Sequence, residues 1–140
     1  VGENLNMCYA FENFVLRGAV DYLQPDVARA GGITEIKKIA AMAAKHGVPI
    51  SFHTWGDGVA LAASVHLSAA IKECIVMELD YTYNPLREEL LREPLAVQNG
   101  CLVPFDKPGL GVELNLDALH RFAFSGTEEI ALRQNTLRGV

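Results

Sequence analysis

The sequence predicts an α/β protein built on a parallel sheet. Short apolar runs alternate with longer segments of helical period, and glycine or proline marks most of the changes between them. Acid/base side chains also recur just after the apolar runs, where the strand ends of a parallel α/β fold gather function.

The elements follow in chain order. Val1-Gly2 reads as the end of a strand that begins upstream, and Phe11 to Gly18 as a helix. Val20-Asp21-Tyr22-Leu23-Gln24 is a short strand stopped by Pro25. From Ile33 to His46, apolar residues fall at Ile33, Ile36, Ile39, Ala40, Ala43 and Ala44, with Glu35, Lys37, Lys38 and Lys45 mostly elsewhere. This is an amphipathic helix closed by Gly47. Val48 to Phe52 is the next strand, Val59 to Ala70 a small-residue apolar helix, and Ile75-Val76-Met77 a third strand. Strands and helices of these lengths imply βαβ units.

The pattern changes after Leu79. Pro85, Pro94, Pro104 and Pro108 come in quick succession. Gln98-Asn99-Gly100 signals a turn before a short strand, Cys101-Leu102-Val103. Pro108-Gly109-Leu110-Gly111 is a further turn, and Leu116 to Phe122 a short helix. The expected organisation is a succession of βα units over 1–80, an extension packed against them over 81–124, and a poorly anchored tail over 125–140.

Composition narrows the function classes. The 140 residues suit one domain, and half are hydrophobic, enough for a sizeable core. The net charge of −5 excludes the basic excess that nucleic acid binding needs. Cys8, Cys74 and Cys101 are odd in number and widely spaced, which argues against a disulfide framework and for a reducing compartment. No apolar run approaches the about 20 residues that span a bilayer. A cytoplasmic protein without membrane partners is expected.

Glu3, Asp26, His53 and Glu78 each follow a strand signal. Singly, each has an ordinary structural explanation: an exposed terminal glutamate, a turn aspartate after Pro25, a core histidine, a strand-end carboxylate. Four at successive strand ends are hard to explain as solvation. Imidazole exchanges protons near neutral pH, which suits His53 to acid/base work. Trp55 and Asp57 follow His53 on a loop and are candidates for substrate contact. His46 reads as a helix end, His66 as a packing residue and His120 as surface. Gly31-Gly32 lacks the lysine and further glycines of a phosphate loop and reads as a tight turn into a helix.

Taken together, Gly2-Glu3-Asn4, Gln24-Pro25-Asp26, Gly31-Gly32-Ile33-Thr34-Glu35, Phe52-His53, Met77-Glu78 and Pro108-Gly109-Leu110-Gly111 carry a resemblance. In order and spacing they resemble the C-terminal part of the mandelate racemase/muconate lactonizing enzyme family of the enolase superfamily. Residues 53–59 and Asn84-Pro85-Leu86-Arg87 are most similar to sugar-acid members, the galactarolactone cycloisomerase-like group in particular.

The resemblance implies the C-terminal half of a (β/α)8 barrel of the TIM type, with the N-terminal capping domain absent. It implies Glu3 as a carboxylate ligand of Mg2+, Asp26 and His53 as the catalytic dyad, and Glu78 as the acid that hydrogen-bonds the developing oxyanion. The family's lysine acid/base and two further metal carboxylates would lie outside this chain.

The implied parent is a Mg2+-dependent sugar-acid dehydratase or lactone cycloisomerase that removes the proton α to a carboxylate and expels a β leaving group. Two alternatives stand beside it: a racemase or epimerase of an α-hydroxy acid, and an inactive half-barrel serving folding or assembly. The implied partners are a small carboxylate substrate and, in the full-length form, further copies of the protein; the isolated chain is expected to be inactive.

Overall fold

The computed structural model describes residues 1–124. Its elements are α1 (Met7–Leu16), α2 (Gly32–Lys45), β1 (Ile50–Phe52), α3 (Gly58–Ala70), β2 (Cys74–Met77), α4 (Pro85–Glu88) and α5 (Leu116–Arg121). The strands β1 and β2 pair in parallel, with Phe52 opposite Met77. The crossover between them is α3, as a parallel pair requires. The tail expected over 125–140 lies outside the described residues.

The strand expected at Val20–Gln24 is reduced to two isolated parallel bridges, Leu23 with Ile50 and Asp26 with His53. Pro25 stands between them and has no N–H to continue the ladder. Its carbonyl still accepts from the His53 amide at 3.2 Å, and Leu23 exchanges bonds with Pro49 and Ser51. On the other side Gln24 N donates to Val1 O at 2.8 Å. Val1, Leu23, Ile50 and Cys74 therefore succeed one another across a parallel layer, although only two members form strands.

Helix α1 starts and ends earlier than expected. Gly18 lies beyond it in the left-handed region, donating to Val15 O, and Ala19 donates to Phe14 O. That is a C-terminal glycine closing a helix rather than its last residue. Helices α2, α3 and α5 fall within two residues of their expected limits. Helix α4 was not anticipated; it is one turn, with Asn84 Oδ1 capping Leu86 N and Pro85 opening it. Cys101–Val103 is not a strand. Gln98 and Cys101 form one antiparallel bridge around Asn99-Gly100, whose φ values of 51° and 78° make a tight hairpin turn.

The core is built from the inward residues of α1, α2 and the parallel layer: Phe11, Leu23, Ile36, Ile39, Ile50 and Phe52 are fully buried. One polar clasp joins the first two helices. Glu35 is buried in the first turn of α2. It accepts from Lys38 Nζ and from the Cys8 amide at 3.0 Å. The Lys38 hydrogen bond first, then the Cys8 amide, holds the Glu35 carboxyl below its ordinary range. Gly31, at φ 104°, makes the approach possible, since a Cβ there would lie 2.8 Å from Glu35 Cγ and 2.9 Å from Met7 Sδ.

Residues 81–124 hold α4, α5 and a bridge between Leu91 and Leu114. They pack against α3: Gly58 meets Leu91, and His66 Nε2 lies 3.2 Å from Leu110 O. Among the described residues no helix is long and apolar enough to cross a membrane.

Candidate active site

The parallel register brings the strand-end residues to one side. Asp26 and His53 are bridge partners, and His53 and Glu78 follow the paired residues Phe52 and Met77. Side chains separated by tens of residues in sequence therefore share one end of the layer.

Asp26 is 7% exposed and held from several sides. Its Oδ1 accepts from the Ala28 amide at 2.8 Å, and its carbonyl accepts from the Arg29 and Ala30 amides. Its Oδ2 lies 2.8 Å from His53 Nδ1. An ionised carboxylate only accepts, so the proton of this bond belongs to Nδ1. Nε2 is then the ring nitrogen that Asp26 does not engage. Nε2 lies 3.5 Å from Glu3 Oε2, at the mouth of a cleft of about 360 Å³ lined by Val1, Glu3, Asn4, Leu5, Gln24 and His53.

Glu3 is exposed. Its loop is fixed by Gly2, whose φ of 148° and approach to the Gln24 carbonyl leave no room for a Cβ. Arg29 Nη1 donates to Asn4 Oδ1 at 2.6 Å, tying the same loop to the turn after Asp26. Glu3 is a suitable hard-oxygen ligand, but among the described residues no group of three His, Cys, Asp or Glu side chains could hold a metal ion. One carboxylate does not by itself make a divalent-cation site.

Glu78 is exposed beyond β2. Its amide donates to Phe52 O at 3.1 Å, and its carbonyl accepts from the Thr54 hydroxyl. The loops after β1 and β2 are thereby joined at the residues that follow His53.

A smaller cavity of about 70 Å³ lies against the dyad. Asp26, Arg29, His53, Trp55, Ser64 and Arg87 contribute to its wall. Trp55, mostly exposed, borders this cavity beside Asp26 and His53. Asp57 is not. Its Oδ1 caps α3, accepting from the Val59 and Ala60 amides at 2.8 and 2.9 Å. It borders a different hollow, with Val27, Gly32 and Ile33. Aspartate is among the most favoured N-cap residues, and the residue before a helix of small apolar residues had that simpler explanation. The two arginines were missed. Arg87 lies within the Asn84-Pro85-Leu86-Arg87 motif, which the sequence reading used only for resemblance, and Arg29 follows Asp26 by one turn.

This constellation belongs with a recognisable fold. The family described as enolase C-terminal domain-like matches residues 1–118, and the chain belongs to it, within the mandelate racemase/muconate lactonizing enzyme group of the enolase superfamily. The D-galactarolactone cycloisomerase of Agrobacterium fabrum is 45% identical, over 86% of this chain and 34% of that protein. The D-galactonate dehydratase of Verminephrobacter eiseniae is 35% identical, over 81% of this chain and 31% of its own length. The crystal structure of the 3,6-anhydro-D-galactonate cycloisomerase from Zobellia galactanivorans superposes with a TM-score of 0.79 at 40% identity, covering 86% of this chain and 34% of that one. The chain spans about a third of the length of these relatives.

Proposed function

We propose that this chain carries the dyad side of a Mg2+-dependent sugar-acid enzyme, a dehydratase or lactone cycloisomerase that acts by α-proton abstraction and β-elimination. The observation that carries the reading is the Asp26–His53 pair, bonded through Nδ1 with Nε2 directed to an open cleft beside Glu3. Residues 1–80 then form the C-terminal half of a (β/α)8 barrel, and 81–124 an extension packed on it. The capping domain and remaining strands lie outside this chain.

In this reading His53 Nε2 handles the proton at the carbon α to the substrate carboxylate or at the β leaving oxygen. Asp26 holds the ring and stabilises the imidazolium that forms. The electron pair of the broken C–H bond becomes the Cα–Cβ double bond as the β oxygen leaves with a proton. Glu78 faces the substrate carboxylate, on the side where the oxyanion develops. Trp55 borders the substrate. Glu3 would be one ligand of Mg2+, the others coming from elsewhere in the enzyme; when bound, the ion stabilises the negative charge that develops on the carboxylate. The same reading places the enzyme in the cytoplasm as a homo-oligomer, with no nucleic acid or membrane partner.

The test is an assay of the full-length protein with Mg2+ against acid sugars and their lactones. The expected products are 2-keto-3-deoxy acids or ring-opened acids. Inversion at Cα without loss of a β group would favour the racemase reading, and no turnover of any α-hydroxy acid would favour the inactive half-barrel.

A further inference from the structure

Arg87 carries a partly buried charge that the dyad chemistry does not use. Its side chain is 13% exposed, although it belongs to a one-turn surface helix. Nη1 donates to Asp80 O and Nη2 to Thr82 O, both at 2.5 Å. Nη1 also lies 3.5 Å from Asp80 Oδ2, a buried oxygen with no hydrogen-bond partner. Asp80 Oδ1 accepts from the Thr82 amide at 2.8 Å. Chiefly that amide, then the Thr82 hydroxyl, Arg87 and the Trp55 indole hold the Asp80 carboxyl below its ordinary range. The same segment is pinned to the loop after β1, since Asn84 Nδ2 donates to Gly56 O at 3.0 Å and Thr54 Oγ1 donates to Glu78 O. Arg87, Trp55, Asp26 and His53 border one cavity.

We propose that Arg87 is a positioning residue: its guanidinium clamps the segment after β2, which Asn84 and Glu78 tie to the loop carrying Trp55, and so sets Trp55 and Glu78 against the Asp26–His53 pair. The planar fork bonds the Asp80 and Thr82 carbonyls and the Glu88 carboxylate at once, which a lysine ammonium on a flexible stem does not do. The inference rests on the dyad reading, because only then do Trp55 and Glu78 have a substrate to face.

Trp55 is the single tryptophan of this chain, so its fluorescence reports the clamp independently of turnover. In the full-length enzyme a difference spectrum against Trp55→Phe isolates that signal. Arg87→Met is expected to shift Trp55 emission and raise its quenching by acrylamide. The kcat should fall by about 10²-fold, the cost of a displacement near 1 Å at a reacting centre, with KM within about twofold. Arg87→Lys should show the same signature if Arg87→Met does not fold. Millimolar guanidinium should restore Arg87→Ala. Arg92→Met, at an exposed pair with Glu113, is the control expected to change nothing. Unaltered Trp55 emission in folded Arg87→Met and Arg87→Lys would overturn the clamp. Altered emission with wild-type kcat would overturn its bearing on the reaction. A failure of the dyad reading shows separately, as full activity in His53→Asn.

Discussion

His53 Nδ1 lies 2.8 Å from Asp26 Oδ2, and the two residues are also parallel bridge partners in the backbone. One βα unit of 27 residues separates them in sequence, and its geometry closes that distance. In the full-length enzyme Asp26→Asn removes the charge that favours the imidazolium but leaves the ring. Turnover should fall by about 10²-fold, the lower part of the range for acid/base assistance. Glu78→Gln should cost less, because an amide still donates a hydrogen bond. Steady-state rates at saturating substrate measure both, and a larger loss in Glu78→Gln than in Asp26→Asn would reverse the assigned roles.

Glu35 links acid stability to the clasp between α1 and α2. Its folded pKa is depressed below 4.5, so the ionised clasp stabilises the fold above that pH and is lost as pH falls through the folded value. Glu35→Gln should lower the Tm at neutral pH, and the gap to the parent should close below pH 4.5. Thermal unfolding by circular dichroism across this range measures it. A gap independent of pH would remove the carboxylate's charge from the explanation.

Gly2→Ala should destabilise the chain by about 1–3 kcal/mol, because it forces an L residue into a strained backbone region. The new Cβ would also stand 2.9 Å from the Gln24 carbonyl carbon. The backbone must then shift at the residue before Glu3, so Mg2+ affinity of the full-length enzyme should fall together with stability. Chemical denaturation and calorimetric metal titration are the paired measurements. Wild-type values in both would show that the close approach is not needed.

The elements legible in the sequence were those whose signal is local. The apolar period of α2, its terminating Gly47 and the dense short strand at Ile50–Phe52 each carry their own evidence. The strand before Asp26 was misjudged because Pro25 breaks its ladder while tertiary neighbours still align it. Asp57 shows its N-cap role only once the amides of Val59 and Ala60 are in place, because an N-cap and a substrate contact look alike in sequence. Arg87 was assigned no role because a partly buried ion pair after β2 depends on how a proline-rich loop folds back, which no periodicity encodes. Four strand-end residues were read as a group, and the parallel register explains why Asp26, His53 and Glu78 lie at one end.

β2 has Ile75 and Val76 each more than half exposed, on alternate faces, and among the described residues no strand pairs with its outer edge. Such an edge recruits other chains. The 140-residue chain should therefore self-associate in sedimentation velocity as concentration rises, and Val76→Lys should return it toward monomer. A monomer at every concentration, with cooperative unfolding, would show that this edge is covered.

The central claim is that His53 Nε2 works on the substrate proton. It is tested most directly in the full-length enzyme by exchange of the α hydrogen for deuterium in deuterated water, followed by NMR in parallel with turnover. With His53 as the base, His53→Asn keeps its fold and Mg2+ affinity but loses both exchange and turnover. With His53 acting only on the leaving group, exchange persists while elimination stops. Undiminished turnover in His53→Asn would contradict the assignment of the Asp26–His53 pair to catalysis.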